Sequence, residues 1–306
     1  MGDFGGFRGA KTAGTGNAEE DPYRGARWGS AFPTIQTESI DMKRLIAVAG
    51  FTALISALPT FSAAQDKKEE PKKEESPHTF TGNFTLASEY RYRGIAQTNS
   101  KPAVQGGFDY SHSSGFYVGT WASNVSWLSD ASTSSAPISS SLEWDFYGGY
   151  KGTVGDFGYD VGVLQYWYPG KYPSGFNKPD TFEGYVAGTW KMLTLKYSYA
   201  FTDLFGATDS KGAGYTDLTG NFELPEGFTL VAHVGYQYIP GTTGYSKSDR
   251  SYTDWKLGVT KEWVGLTFGL FYLDTNAKGD SGQFYRNAYN KDLGRSTALF
   301  SVTKTF

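Results

Sequence analysis

Cysteine is absent from the 306 residues, which excludes disulfides, thiol nucleophiles and thiolate metal sites. Histidine is nearly absent: the three residues, His78, His112 and His233, stand far apart, so no histidine cluster has metal-ligand spacing. Neither sign of charge dominates. The net charge is −3, and no basic footprint for nucleic acid exists. Aliphatic bulk is also low, with 39% hydrophobic residues and a mean hydropathy of −0.43, which excludes a bundle of transmembrane helices. No glycine-rich phosphate loop is present, since the glycines stand singly or in isolated pairs within alternating runs, and the loop aspartates are too scattered for a calcium loop. What the chain has is rings and glycine, with 17% aromatics and 39 Gly. That mixture points to an all-β protein.

The first quarter of the chain reads as processing and tether. Met42-Lys43-Arg44 begins a basic n-region, Leu45 to Leu58 is an apolar stretch, and Ser62-Ala63-Ala64 supplies a small-residue cleavage site. The apolar stretch is too short to span a bilayer. Residues 42–64 are therefore expected to be a cleaved signal peptide for export through the inner membrane. Residues 1–41 lack periodicity and read as a disordered extension or a mis-assigned start. Residues 65–78 are a mixed-charge run with nothing apolar to bury, expected to be a solvated periplasmic tether.

From Thr79 to Phe306 one pattern recurs: about ten residues alternate apolar with polar or small, then a turn follows. Leu193, Leu195, Tyr197, Tyr199 and Phe201 alternate with Thr194, Lys196, Ser198 and Thr202. Leu142, Trp144 and Phe146 alternate with Glu143 and Asp145. About twelve strands are expected, near 80–91, 103–111, 115–125, 139–151, 157–168, 181–190, 192–202, 213–223, 227–238, 252–261, 265–274 and 297–306. The third has the weakest alternation, because Tyr117 and Trp121 break its polar face. Short links alternate with long ones (92–102, 126–138, 169–180, 203–212, 239–251 and 275–296). An even number of strands of this length, with short turns at one end and long loops at the other, predicts a transmembrane antiparallel up-and-down β-barrel over residues 79–306.

A soluble barrel would bury its apolar face inside. This chain lacks the aliphatic bulk to fill a lumen twelve strands wide, so the apolar face is expected outward, against lipid, with closure satisfying every backbone group. Trp190 and Trp263 at short turns, and Tyr90, Tyr166-Trp167-Tyr168, Tyr236, Tyr238 and Tyr272 near long loops, are expected to form two interfacial girdles.

Three stretches carry a family resemblance. They are Ala87-Ser88-Glu89-Tyr90-Arg91-Tyr92-Arg93-Gly94-Ile95-Ala96-Gln97-Thr98, then Lys101-Pro102-Ala103-Val104-Gln105-Gly106-Gly107-Phe108-Asp109-Tyr110, then Gly115 to Val125. Together they resemble the TorF-type porins of proteobacteria, the Gcw_chp family. The resemblance implies an outer-membrane barrel with a porin-like role and carries no substrate. The C-terminus, with Phe306 preceded by Val302, Phe300 and Ala298 at alternating positions, resembles the signal read by the barrel-assembly machinery; Lys304 departs from it.

By parity, Glu89, Arg91, Asp109, Glu143, Asp145, Asp160, Glu183, Lys196, Asp217, His233, Asp254 and Lys256 face inward and are the candidate pore-lining residues. Eight carboxylates against three cations in a low-dielectric wall favour cations. The function expected is passive diffusion of small hydrophilic solutes or ions in the bacterial outer membrane, weakly cation-preferring, with no cofactor, no metal and no catalytic residue. Three alternatives stand beside it. These charges could pair across the lumen and plug it. The barrel could be a non-conducting structural or adhesive element. It could be a hydrolase, for which His233 is the sole wall histidine, with Ser198 and Ser301 inward on other strands. The loop cations Arg93, Lys101, Lys171, Lys178, Lys247, Arg250, Arg286 and Arg295 are expected to meet lipopolysaccharide phosphates.

Overall fold

The computed structural model describes residues 76–241 and 244–306. The segments read as an extension, a signal peptide and most of the tether lie outside the described residues. The elements, in chain order, are β1 (His78–Ala87), β2 (Arg91–Tyr92), β3 (Ile95–Ala96), β4 (Ala103–His112), β5 (Phe116–Asn124), α1 (Trp127–Asp130), β6 (Leu142–Val154), β7 (Phe157–Trp167), β8 (Thr181–Trp190), β9 (Leu193–Ala200), β10 (Gly214–Glu223), β11 (Phe228–Tyr238), α2 (Lys247–Arg250), β12 (Tyr252–Trp263), β13 (Leu266–Thr275) and β14 (Thr297–Thr305).

All strands except β2 and β3 form one closed antiparallel barrel of twelve, each pairing with its neighbour in sequence order, and β14 closes on β1 with Leu86 opposite Val302. The seam is completed by the C-terminal residue. Gly82 and Phe306 exchange both backbone hydrogen bonds, at 2.7 and 3.0 Å. The Phe306 ring lies where a Cβ on Gly82 would be, 2.5 Å from its Cε2. Lys304, out of place in an apolar row, reaches along the outer wall so that its Nζ donates to the Gly265 carbonyl at 2.9 Å.

Alternation sorts the side chains as the sequence pattern predicts. Phe84, Leu86, Val104, Phe108, Val161, Val163, Leu195, Leu257 and Leu270 are all exposed on the outer wall. A continuous apolar belt of this extent is not tolerated by water and suits lipid. Trp190 and Trp263 stand exposed beside the short turns. Val264 and Gly265 turn the β12–β13 hairpin with positive φ of 50° and 71°, the mirror-image turn that matches strand twist.

Two expectations are corrected. The first strand ends at Ala87 instead of running to 91, so Glu89 and Arg91 are not on the barrel wall. Their alternation continues because the chain leaves the wall as a hairpin of its own, with Tyr92 paired to Ile95. Tyr90, Tyr166 and Tyr168 are also buried, at 5%, 2% and 2% exposure, and belong to no girdle. Only Trp167 of its triplet faces outward, as period-2 parity requires. The buried rings join Trp121, Val125, Leu128, Ile138 and Leu164 in an apolar cluster at the long-loop end. Trp121 breaks the polar face of β5 because it fills that cluster.

Candidate functional site

The candidate site is the lumen, whose wall is shaped by glycines beneath rings. A Cβ on Gly119 would meet Tyr147 at 2.5 Å, and one on Gly162 would meet the Tyr185 hydroxyl at 2.5 Å. Each tyrosine therefore lies flat on the next strand. Tyr147 donates to Asp109 and Tyr117 to Asp160, both at 2.6 Å. The Tyr117 and Tyr185 hydroxyls also meet. Lys196 lies with its Nζ 4.1 Å from the Tyr185 ring centre, and Lys151 with its Nζ 5.2 Å from that of Tyr117.

The segment 88–102 crosses the mouth as a strap. Its tip is Arg93-Gly94, with φ of 48° and 78°. Arg93 donates through Nη1 to the Gln237 Oε1 on β11 and through Nη2 to the Glu183 Oε2 on β8, both at 2.8 Å. The guanidinium carbon stands 4.4 Å from the centre of the Tyr215 ring on β10 and 4.7 Å from that of Tyr92. Tyr252 on β12 donates to the Arg93 carbonyl at 2.9 Å, and the Tyr92 hydroxyl meets that of Tyr166 on β7. The strap springs from β1 and returns at β4, so its tip is held by the opposite arc of the barrel.

Either flank of the strap is tied down. Glu89 receives Arg91 Nε at 2.8 Å and the Thr297 hydroxyl at 2.6 Å. Arg91 Nη1 donates to the Leu293 carbonyl at 2.8 Å. Ser126 N–H donates to the Gln97 carbonyl at 2.9 Å. Tyr90 and Tyr168 donate to the two oxygens of Glu143, at 2.7 and 2.6 Å. Asp145 is buried near Glu143, and its Oδ1 has no partner among the described residues.

His233 lies on β11 between two acids. Its Nδ1 is 3.3 Å from Asp217 Oδ2 and its Nε2 is 2.9 Å from Asp254 Oδ1. Tyr215 donates to Asp254 Oδ2 at 2.9 Å, and Lys256 pairs with His233 in the β11–β12 register. Thus the wall candidates all lie on the lumen face, whereas Glu89 and Arg91 lie on the strap.

A family model described as a bacterial protein of unknown function, Gcw_chp, matches residues 71–306. The chain belongs to this family. No curated protein matches the sequence. Among solved structures, the chain is similar to a KdgM porin (8% identity over 74% of this chain and 99% of that one, TM-score 0.45). It is also similar to a NanC porin (11%, 74% and 98%, TM-score 0.42) and to LpxR from Salmonella typhimurium (8%, 74% and 99%, TM-score 0.38). Likeness at this level adds nothing to the closed barrel already described.

The geometry weighs against His233 as a base, because each ring nitrogen faces a carboxylate and neither faces Ser198 or Ser301. Among the described residues, no group of three or more His, Asp or Glu could hold a metal ion. Arg93 and Arg250 leave the set expected to meet lipopolysaccharide. Arg93 is buried in the lumen, and Arg250 is fully buried, donating to the Pro240 carbonyl at 2.7 Å. Sequence reasoning missed Arg93 and Lys151 as lumen cations. Lys151 shares its parity with Glu143 and Asp145 and could have been read. Arg93-Gly94 carried only the weak signal of a turn dipeptide.

Proposed function

We propose that the protein is a porin-like channel of the bacterial outer membrane, passing small hydrophilic solutes or ions by passive diffusion, as its TorF-type resemblance also implies. The observation that carries this reading is the inversion of faces. An apolar belt surrounds the closed barrel, while Asp109, Asp160, Lys196, Asp217, Asp254 and Lys256 lie on its inner wall. Short turns would face the periplasm, together with both chain ends, and the exposed loop cations Lys101 and Lys178 would meet lipopolysaccharide. Phe306 would be read by the assembly machinery, and residues 42–64 would be removed during export.

A weak cation preference is part of the proposal, and it is smaller than the wall acids alone suggest. Arg93 and Lys151 enter the lumen, Arg93 neutralises Glu183, and His233 bridges Asp217 and Asp254. The test is single-channel recording in planar bilayers, with the reversal potential measured across a KCl gradient for wild type and Glu143→Gln/Asp145→Asn. Stepwise openings with a reversal potential of cationic sign support the proposal. Openings with anionic sign remove the selectivity claim and leave the channel. A second reading, a non-conducting structural barrel, is favoured by one observation, the strap pinned across the mouth by Arg93. Absence of any conductance in wild type and in a strap-deleted protein would establish it.

A further inference from the structure

The contacts of Arg93 describe a receptor as well as a clamp. Glu183 supplies a carboxylate oxygen and Gln237 an amide oxygen, each at 2.8 Å and each to a different terminal nitrogen of one guanidinium. Tyr215 supplies a ring face at 4.4 Å. Glu183, Gln237 and Tyr215 are on three different strands of the rigid wall, and all three are buried, at 2%, 2% and 5% exposure. Two acceptors spaced for a planar fork, with a π-face against its plane, are a recognition pattern specific to guanidinium. Gln237 and Tyr215 are held without the strap, and Glu183 Oε2 also accepts from the wall residue Tyr166, at 3.4 Å. Gln237 donates from Nε2 to the Gly214 carbonyl at 3.1 Å, and Tyr215 donates to Asp254 at 2.9 Å.

The occupant is the less natural part. Arg93 adopts a left-handed φ of 48° at the first position of a two-residue hairpin turn, where asparagine or glycine is the ordinary choice. Strain of this kind persists where surrounding contacts hold it, and here those contacts are the receptor's own. Gly94 beside it leaves no room for adjustment, because a Cβ there would lie 2.9 Å from that of Asp254.

We propose that the lumen contains a binding site for guanidinium-bearing solutes, formed by Glu183, Gln237 and Tyr215, and that Arg93 occupies it as a tethered competitor. A solute carrying that group takes the site when the strap tip withdraws. Access of a solute through the mouth rests on the channel reading; the receptor does not. With the tip in place, a free cation competes against a group held at high local concentration, so the wild type binds weakly and the variant lacking the guanidinium binds well.

The test uses methylguanidinium on Arg93→Ala in detergent, with heat-modifiable migration on gels as proof of a folded barrel. Arg93→Met, which keeps the stem packed near Tyr215, serves if the alanine variant does not fold. Calorimetric titration should show methylguanidinium binding to the variant on the order of tenfold tighter than methylammonium, whose single point charge cannot fill both acceptors. Wild type should bind neither measurably, and Arg93→Ala/Glu183→Gln should lose the binding. Equal affinity for the two cations, or binding that survives Glu183→Gln, overturns the receptor, as does failure of both Arg93 variants to fold. Conductance of the same variant is recorded separately. Binding without conductance keeps the receptor and removes the channel, whereas conductance without binding does the reverse.

Discussion

At the long-loop end Trp121, Tyr166 and Tyr168 pack in one cluster with Tyr90 of the strap, which crosses the mouth there. Towards the short turns the wall carries Thr189, Thr194, Asn221 and Thr303, together with Tyr117 on β5 and Lys151 on β6. The threonine contacts are short and local, such as Thr85 to Thr303 at 2.8 Å and Thr189 to Thr194 at 3.0 Å. Strand number, closure and parity are common to both halves, so the barrel frame does not set how full the lumen is. Side-chain length does. A tyrosine or arginine reaches into the lumen from the wall, and a threonine does not. Occlusion by the strap is therefore a local property of one end, and it can be removed without touching the frame.

The largest effect is expected from removing the strap. Replacing residues 90–100 by a short Gly-Ser linker should raise single-channel conductance several-fold, because the strap that crosses the mouth is gone while all twelve wall strands remain. Unchanged conductance would move the constriction to the half nearer the short turns and invert the comparison. Next comes the frame both halves share. Leu195→Arg places a charge in the outer belt and should cost about 2–4 kcal/mol of barrel stability. Thr194→Val, one residue away on the inner face, removes only the bond to Thr189 and should cost about 1 kcal/mol. Equal losses in a urea titration in lipid would mean the two faces are wrongly assigned.

A smaller effect tests the seating of the rings. Gly162→Ala forces a Cβ to within 2.5 Å of the Tyr185 hydroxyl and 2.7 Å of the Gly148 carbonyl, so the ring must lift and loses its meeting with Tyr117. The expected cost is about 1–3 kcal/mol. Gly158→Ala, nearer the short turn, meets nothing closer than 3.5 Å and should be within about 0.5 kcal/mol of wild type. Similar losses at both positions would show that the glycines are needed for sheet curvature and not for the rings.

The halves also differ in how far the sequence foretold them. Alternation is local, and a closed barrel needs only neighbours in sequence order, so the frame was legible almost strand by strand. Where β6 was expected from 139, it begins at Leu142, because Ser139 donates its N–H to the Lys171 carbonyl of the next long loop, at 3.1 Å. The inward parity of Asp217, His233 and Asp254 was legible for the same reason. Their mutual contact was not, since cross-strand register has no signature in a single strand. The plug was least legible. Glu89, Arg91 and Arg93 keep the alternation of a strand after leaving the wall. The contacts that hold Arg93 join residues 144 and 90 positions apart. No period within ten residues encodes such a pairing.

The smallest effect lies beyond the barrel wall, where two loops above the packed end are tied by a half-exposed ion pair. Asp249 Oδ1 accepts from Lys278 Nζ at 2.8 Å. That bond, followed by those from the Ser246 hydroxyl and backbone N–H, holds the Asp249 carboxyl down at about 2. A carboxyl depressed in the folded state stabilises it above the unfolded value of about 3.9 and loses that contribution as pH falls through the folded value. The tie should therefore be complete at neutral pH, persist at pH 4 and be half lost near pH 2. Asp249→Asn should lower the midpoint of thermal unfolding only slightly at pH 7, since exposed pairs contribute little, and by less still at pH 2. Half-molar salt should shrink the difference at pH 7 by screening. A difference as large at pH 2 as at pH 7 would assign the effect to the capping bonds from Ser246, which an asparagine weakens at any pH, and would leave the two loops untied.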